Sequence, residues 1–335
     1  MDRDQSPDPN INCLYYFDSL FEDKPPPMNF QQLRSVQETM RQNLNLTQVA
    51  LALHTSQPGV SKQIRELEDE LGVQIFVRNG KRLTGLTPPG RAVLHWVERV
   101  LAEQQNLKRA AADFAQEKTG TLTIGTTHTQ ARYSLPPAIR AFKRRYPLVE
   151  LSIIQGTPSH IAALVMDGQA DVCIATETIA QHPGLVGLPC HRWHHIVVTP
   201  AKHPLLALKK PSLKDLAQYP IVTYDGAFAG RSTINQAFAT AGLEPHVVLS
   251  AVDSDVIKTY VELDLGIGIL AGIAFDEMRD KHLRAIDTGH LFPEKTTYLA
   301  MRKGAYLRGF AYDFIELFAP TLKRDVVERA LKKVK

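Results

Sequence analysis

Two stretches of the 335-residue chain put hydroxyls, an amide and glycines where a strand gives way to a helix. The first is Thr126-Thr127-His128-Thr129-Gln130, after a strand ending at Gly125; the second is Gly226-Ala227-Phe228-Ala229-Gly230-Arg231-Ser232, after a strand ending at Tyr224. At such junctions unpaired backbone N–H groups and the helix dipole favour an anion. Threonine hydroxyls and a glutamine amide add neutral donors that suit a small oxyanion, and Arg231 beside Gly230 offers a counter-charge. Plain capping and turn chemistry is the competing account of either stretch alone. The occurrence of both in one region weakens it.

A third constellation lies nearer the N-terminus. Thr55-Ser56-Gln57-Pro58 opens a helix with a hydroxyl cap and a first-turn proline, and Val60, Ile64, Leu67 and Leu71 recur at helical spacing until Gly72. Its first turns present Gln57, Pro58, Ser61, Lys62 and Arg65. Glutamine pairs bidentately with adenine and arginine with guanine, while Thr55, Ser56 and Lys62 suit phosphates. Downstream, Arg78-Asn79-Gly80-Lys81-Arg82 reads as the turn of a β-hairpin whose Arg78, Lys81 and Arg82 suit DNA backbone or minor groove. The acidic run Glu66, Glu68, Asp69, Glu70 counts against DNA at the far end of the helix, and an ordinary three-helix unit with a solvated face is the alternative.

The elements that must hold these groups follow from periodicity. Leu33, Val36 and Met40 share a helix face from Met28 onward; Asn43 to Asn45 break it, and Thr47 is expected to cap a second helix through Val49, Ala50 and Leu53. With the helix at Ser56 and a strand over Val73 to Val77, this predicts a winged helix-turn-helix. Thr87-Pro88-Pro89-Gly90 then launches a long helix on which Val93, Val97, Val100, Gln104, Leu107, Ala111 and Phe114 step by four and three. Such a stripe suits pairing between two chains, with burial against its own domain as the alternative. Beyond a hinge at Glu117 to Gly120, strands and helices alternate as parallel α/β units, long enough for two subdomains with a ligand crevice between them.

Composition bounds the rest. At 44 % apolar the chain fills more than one core, and no run approaches the roughly 20 apolar residues that a bilayer requires. The N-terminus is acidic, without a basic start and apolar run, and Cys13, Cys173 and Cys190 form no disulfide or zinc pattern, so a soluble cytoplasmic protein is expected. Residues 1–27, with an acidic excess and Pro25-Pro26-Pro27, are expected to form a disordered extension, a partner-binding peptide around Leu14-Tyr15-Tyr16-Phe17 being the alternative. The net charge of +4 permits polyanion binding without arguing for it.

Four further signals are set aside. Cys190, His191, His194 and His195 alternate between strand faces, so no metal is expected there. The glycines around Gly266-Ile267-Gly268 stand between helix and strand, the reverse of a dinucleotide site, and read as a helix stop. Gly226 to Ser232 is one residue short of a phosphate-cradling loop and has arginine in place of lysine. His128 has no Asp or Glu within its motif to orient it, so no enzyme and no cofactor are expected.

The run TSQPGVSKQIRELEDELGVQIFVR at 55–78, with LTGLTPPG at 83–90, resembles the N-terminal domain of LysR-type transcriptional regulators, over about Met28 to Phe114. The resemblance implies an α/β multidomain chain: an N-terminal winged helix-turn-helix at 28–86, a long linker and dimerisation helix with hinge at 87–118, and a C-terminal two-lobed periplasmic-binding-protein-like effector domain at 119–335. Lobe I would take about 119–188 and 295–335 and lobe II about 189–294, joined by two crossing strands. It also implies promoter DNA and RNA polymerase as partners, a homotetramer built as a dimer of dimers, and an effector that alters the bend of bound DNA.

TTHTQARY at 126–133, IATE at 174–177, LPCHRW at 188–193, DVIKTY at 255–260 and FAPTL at 318–322 are similar to the CysB-like subgroup of that family. That subgroup implies regulation of sulfur assimilation or sulfonate use, and an effector such as sulfate, adenylyl sulfate or acetylserine held by Thr127, Thr129, Gln130, Thr176 and Trp193. A sulfonate regulator is the first expectation and the cysteine-pathway regulator the second; a small-anion binding protein with a basic accessory domain is the alternative of another class. The subgroup's Phe-Thr-Gly-Arg reads Phe228-Ala229-Gly230-Arg231 here, so one hydroxyl donor is missing.

Overall fold

The computed structural model of the protein describes residues 27–80, 82–115, 118–226 and 229–332, in two compact units that meet between Gln104 and Gln105. Of the extension expected at 1–27, residues 1–26 lie outside the described residues, as does the wing residue Lys81.

In the first unit, α1 (Phe30–Arg41) opens with a reciprocal capping box between Asn29 and Gln32. Helix α2 (Leu46–Ala52) is capped by Asn45, not by Thr47: the Asn45 carboxamide accepts the amides of Thr47 and Gln48 at 3.1 and 3.3 Å, which leaves Thr47 inside the first turn. Helix α3 (Gln57–Leu71) starts where Ser56 Oγ accepts the Gly59 amide and stops at Gly72, whose φ of +65° suits glycine. The wing pairs β1 (Phe76–Asn79) with β2 (Arg82–Leu86) antiparallel. It begins at Phe76 rather than at Val73, because the buried Glu68 carboxylate takes the amides of Ile75 and Phe76.

Helix α4 (Pro88–Ala115) begins where Thr87 Oγ1 accepts the Gly90 amide. Its stripe does two jobs. Val97 and Leu101 are buried with Val36, Val60, Ile64 and Phe76 in the core of the first unit, where each is worth roughly 1.5–3 kcal/mol. Val100, Leu107 and Phe114 stay exposed, the last two at 72 % and 91 %.

The second unit holds the end of α4 against its own first lobe by polar contacts on one helix face. Asn106 bonds the backbone of Gly304 and Tyr306, Arg109 pairs with Asp171 at 2.9 Å, and Asp113 accepts from the Tyr306 hydroxyl and the Gly309 amide.

The first lobe comprises β3 (Gly120–Thr126), α5 (Leu135–Arg145), β4 (Val149–Gln155), α6 (Pro158–Met166), β5 (Val172–Ala175), the short α7 (Glu177–Ala180) and β6 (Leu185–Trp193). The chain then crosses into β7 (His195–Pro200), α8 (Leu213–Leu216), β8 (Ile221–Tyr224), α9 (Ala229–Thr240), β9 (Val247–Ala251), α10 (Ser254–Glu262), β10 (Ile267–Ala271) and β11 (Leu283–Asp287). It returns for β12 (Lys295–Arg302), α11 (Gly309–Phe318) and α12 (Arg324–Lys332).

The strand orders are β4-β3-β5-β12-β6 in the first lobe and β11-β7-β10-β8-β9 in the second. Strand β3 runs parallel to β4 and β5, and β8 parallel to β9 and β10, while β12 and β7 run antiparallel to their neighbours. Each sheet is covered on both faces, by Phe142, Phe310 and Phe314 against Ile161 and Val165 in one lobe, and by Ile234 and Phe238 against Ile257 and Val261 in the other. This explains why β5, β8 and β10 are buried along their whole length.

Strand β6 pairs with β12 as far as Trp193, so the first crossing falls at His194 rather than at 188/189; the second lies between Asp287 and Lys295. Helix α10 stops at Glu262 with Leu263 as its C-cap, so Gly266 is not the helix stop expected there; its φ is +156°, and a side chain at that position would lie 2.2 Å from the Pro220 carbonyl oxygen. Among the described residues, no helix is long and apolar enough to cross a membrane.

Candidate functional site

Strand β3 ends at Thr126, whose hydroxyl donates to the Ile174 carbonyl, and the chain turns at Thr127 into a helix opening at His128. That helix starts with a π-turn over Gln130–Ser134 before α5. The wider turn points Thr127, Thr129 and Gln130 into a cleft between the lobes. Thr176, the cap residue of α7, reaches the cleft from β5, and Trp193 reaches it from the end of β6. The second lobe supplies Tyr224, Gly230, Val252 and Ala271. The cavity is small, about 50 Å³ in this structure.

The cleft is short of hydrogen-bond partners. The Gln130 amide nitrogen donates to Thr297 at 3.1 Å, but its buried Oε1 has no partner, and neither has the buried indole Nε1 of Trp193. Unpaired buried polar atoms are rare in folded proteins, and these two border a cavity, where a ligand would satisfy them. Behind Gly230 lies His195, fully buried with both ring nitrogens unpartnered. A side chain at Gly230 would come within 3.1 Å of the Tyr224 ring and 3.2 Å of His195 Nε2, so the first turn of α9 packs closely here because the residue is glycine.

Five residues chosen from sequence thus share one cleft: Thr127, Thr129, Gln130, Thr176 and Trp193, with Gly230 opposite. Arg231 is turned away. Its guanidinium donates to Asn235 on the next turn of α9 and to the Tyr224 carbonyl, so it brings no counter-charge to the cleft. Ala229 opens α9, and its neighbours Ala227 and Phe228 lie outside the described residues. Sequence reasoning missed Tyr224, Val252 and Ala271, at or just past strand ends, and Pro158, which opens α6; these apolar or aromatic residues carry no local signature.

His128 is a second correction. Its Nε2 lies 3.3 Å from Asp253 Oδ2 and its Nδ1 2.6 Å from Gln155 Oε1, so the orienting carboxylate absent from its motif comes from the N-cap of α10, 125 positions away. His128, Asp253 and Asp255 stand within reach of a single ion. Asp253 Oδ1 caps Val256, however, and Asp255 is bonded by Tyr133, Arg132 and Lys258, so these oxygens are already occupied by protein donors. Cys190 and His191 diverge from His194 and His195: His191 packs on Phe318 and His194 pairs with Asp287.

On the first unit, α3 and the wing frame a shallow concave surface lined by Gln57, Pro58, Ser61, Lys62, Arg65, Arg78 and Gly80, with the acidic Glu66 and Asp69 at its edge along α3. Thr55, Ser56, Gln57, Pro58, Lys62, Arg65 and Arg82 are exposed and Ser61 is half-buried. Arg78 is committed elsewhere. It donates to Glu68 at 2.6 Å, and Glu68 is the residue whose other oxygen fixes the start of β1. Of the acidic run that counted against DNA, Glu68 is thus an internal brace, whereas Glu66 and Asp69 line the surface and Glu70 is exposed.

Residues 30–91 match the family described as bacterial regulatory helix-turn-helix protein, lysR family, and residues 115–323 match the LysR substrate binding domain. The chain belongs to the LysR family of transcriptional regulators. Among LysR relatives, the HTH-type transcriptional regulator CysB of Burkholderia cenocepacia is 58 % identical over 305 residues, covering 91 % of this chain and 97 % of that one. SsuR of the same organism is 54 % identical, covering 91 % of this chain and 99 % of its own. The crystal structure of the cofactor-binding domain of the Cbl transcriptional regulator is 45 % identical with a TM-score of 0.62, covering 64 % of this chain and 94 % of that one. The two-lobed architecture is thus that of a LysR-type effector domain.

Proposed function

We propose that this LysR-type regulator controls sulfur assimilation, with sulfonate-use genes as its first assignment, and senses a sulfur-containing anion in the interlobe cleft. The single observation that carries the ligand reading is the donor-rich lining, without lysine or arginine among the described residues of the cleft: Thr127, Thr129 and Thr176 and the unpaired Trp193 indole, beside His128, which is paired with Asp253. Sulfate, adenylyl sulfate and acetylserine are the candidates. A sulfate group has oxygens for every donor and needs no full counter-charge where helix N-termini face it.

Promoter DNA is read by Gln57, Ser61 and Arg65 and held through Thr55, Ser56, Lys62 and Arg82. The working form is a cytoplasmic homotetramer on DNA that engages RNA polymerase. Thermal unfolding of the full-length protein with each candidate tests the ligand. A ligand at 100 times its Kd stabilises the folded state by about 2.7 kcal/mol. Sulfate or adenylyl sulfate is expected to raise the unfolding temperature, and Thr127→Ala to abolish the rise. A rise with acetylserine alone would move the assignment to the cysteine pathway.

A further inference from the structure

The segment that lines the cleft is also fastened, on its other side, to the opposite lobe. Tyr133 in the π-turn donates its hydroxyl to Asp255 Oδ1 at 2.6 Å, and Arg132 Nε donates to Asp255 Oδ2 at 3.1 Å. Lys258, one turn along α10, lies 3.3 Å from the same carboxylate and 5.2 Å from the centre of the Tyr133 ring. Lys258 is itself fixed by Asp280 at 2.9 Å and by the Ala274 carbonyl. Burial, then the bond to Asp255, push the Tyr133 phenol up to about 12, which keeps it a donor at every physiological pH. Burial works to raise the Asp255 carboxyl, but the Tyr133 bond and the Lys258 and Arg132 charges outweigh it and hold the group below its usual range.

The two sets of contacts share one short piece of backbone. Thr127, Thr129 and Gln130 face the cleft, whereas Arg132 and Tyr133 face α10, and the π-turn contains Gln130 from the first set and both residues of the second. A wide turn is the least self-supporting part of a helix, so its geometry is set by what its side chains hold. Here the holder is Asp255, and the cleft residues lie three to six positions away. Val252, which also lines the cleft, stands one residue before the Asp253 cap of α10.

We propose that Tyr133 is a positioning residue of the effector cleft: its hydroxyl, held by Asp255, fixes the π-turn against α10 and so places Thr129 and Gln130 for the ligand. The proposal rests on the reading of the cleft as the effector site, and goes beyond it in assigning affinity to a residue that does not line the cleft. Tyr133→Phe is the informative change, because it keeps the ring beside Lys258 and removes only the O–H.

The test uses the full-length protein, titrated with sulfate and with adenylyl sulfate by calorimetry, alongside thermal unfolding without ligand. Tyr133→Phe is expected to bind roughly tenfold more weakly, as loss of a charge-assisted hydrogen bond implies, while the ligand-free unfolding temperature changes little. Asp255→Asn should show the same loss, and the double variant should be no weaker than either single one. Equal affinity in wild type and Tyr133→Phe overturns the proposal, and so does a lower unfolding temperature with affinity unchanged, which would mark a purely structural role. If wild type takes up neither probe, it is the reading of the cleft that fails. The positioning role is then decided by amide hydrogen exchange over 127–130, expected faster in Tyr133→Phe and, if unchanged, refuting it.

Discussion

His195 packs between Trp193 and Phe292, with ring centroids 5.0 and 5.6 Å away, and none of the described residues accepts from or donates to either nitrogen. Burial, assisted by the charges of Lys295 and His194, pushes its imidazole down to about 3. In the unfolded chain the ring takes up a proton near the ordinary value of about 6.5. Between those two values the unfolded state binds more protons than the folded state, so stability falls as pH falls through that window, by up to about 1.4 kcal/mol per pH unit for one group. We therefore expect the urea midpoint to drop between pH 6.5 and pH 4, and the drop to be shallower in His195→Leu. A profile equally steep in the variant would assign acid sensitivity to other groups. A histidine held neutral beside Trp193 also brings no charge to the cleft.

Helix α3 and the wing illustrate how one element divides its side chains between fold and function. Lys62 is exposed and only loosely tied to Glu66 at 3.7 Å, so it is available to a phosphate. Arg78 instead answers the buried Glu68. Lys62→Ala should therefore reduce the salt slope of operator binding by about one with little loss of stability. Arg78→Ala should do the opposite, lowering stability by about 3 kcal/mol or more because it leaves the Glu68 charge buried without its partner. Filter-binding titrations over a salt series and urea unfolding separate the two, and a full loss of slope in Arg78→Ala would return that residue to the DNA. Local signals, namely Ser56 and Gly72 at the ends of α3 and the Asn79-Gly80 turn, were legible because each acts within a few residues of itself. Glu68 on the β1 amides, Asp253 on His128 and Asp255 on Tyr133 were not, because a sequence pattern carries no sign of a partner brought in by tertiary packing. For the same reason the lobe crossing was set several residues early: the β6–β12 ladder that carries β6 on to Trp193 involves residues about a hundred positions apart.

At the scale of the whole molecule, α4 presents different faces along its length. Val97 and Leu101 complete the core of the first unit, and Asn106, Arg109 and Asp113 bind the first lobe of the second, while Val100, Leu107 and Phe114 stay exposed among the described residues. Burial against its own domain therefore accounts for one end of the apolar stripe, and pairing between chains is our proposal for the other. They separate experimentally. Leu101→Ala should cost roughly 2–5 kcal/mol of stability, as other truncations of buried leucines do, and leave the assembled mass unchanged. Leu107→Glu combined with Phe114→Glu should leave unfolding of the isolated chain almost unaffected, since both side chains already face solvent, but lower the mass seen by light scattering, because a charge at a paired seam must be desolvated without a counter-ion. A regulator that reads a two-fold operator needs two recognition helices at a fixed spacing, so the second variant should also lose operator affinity far more than Leu101→Ala does. If it assembles and binds operator as wild type does, the exposed stripe is not the seam between chains, and the assembly must be built on the effector domains alone.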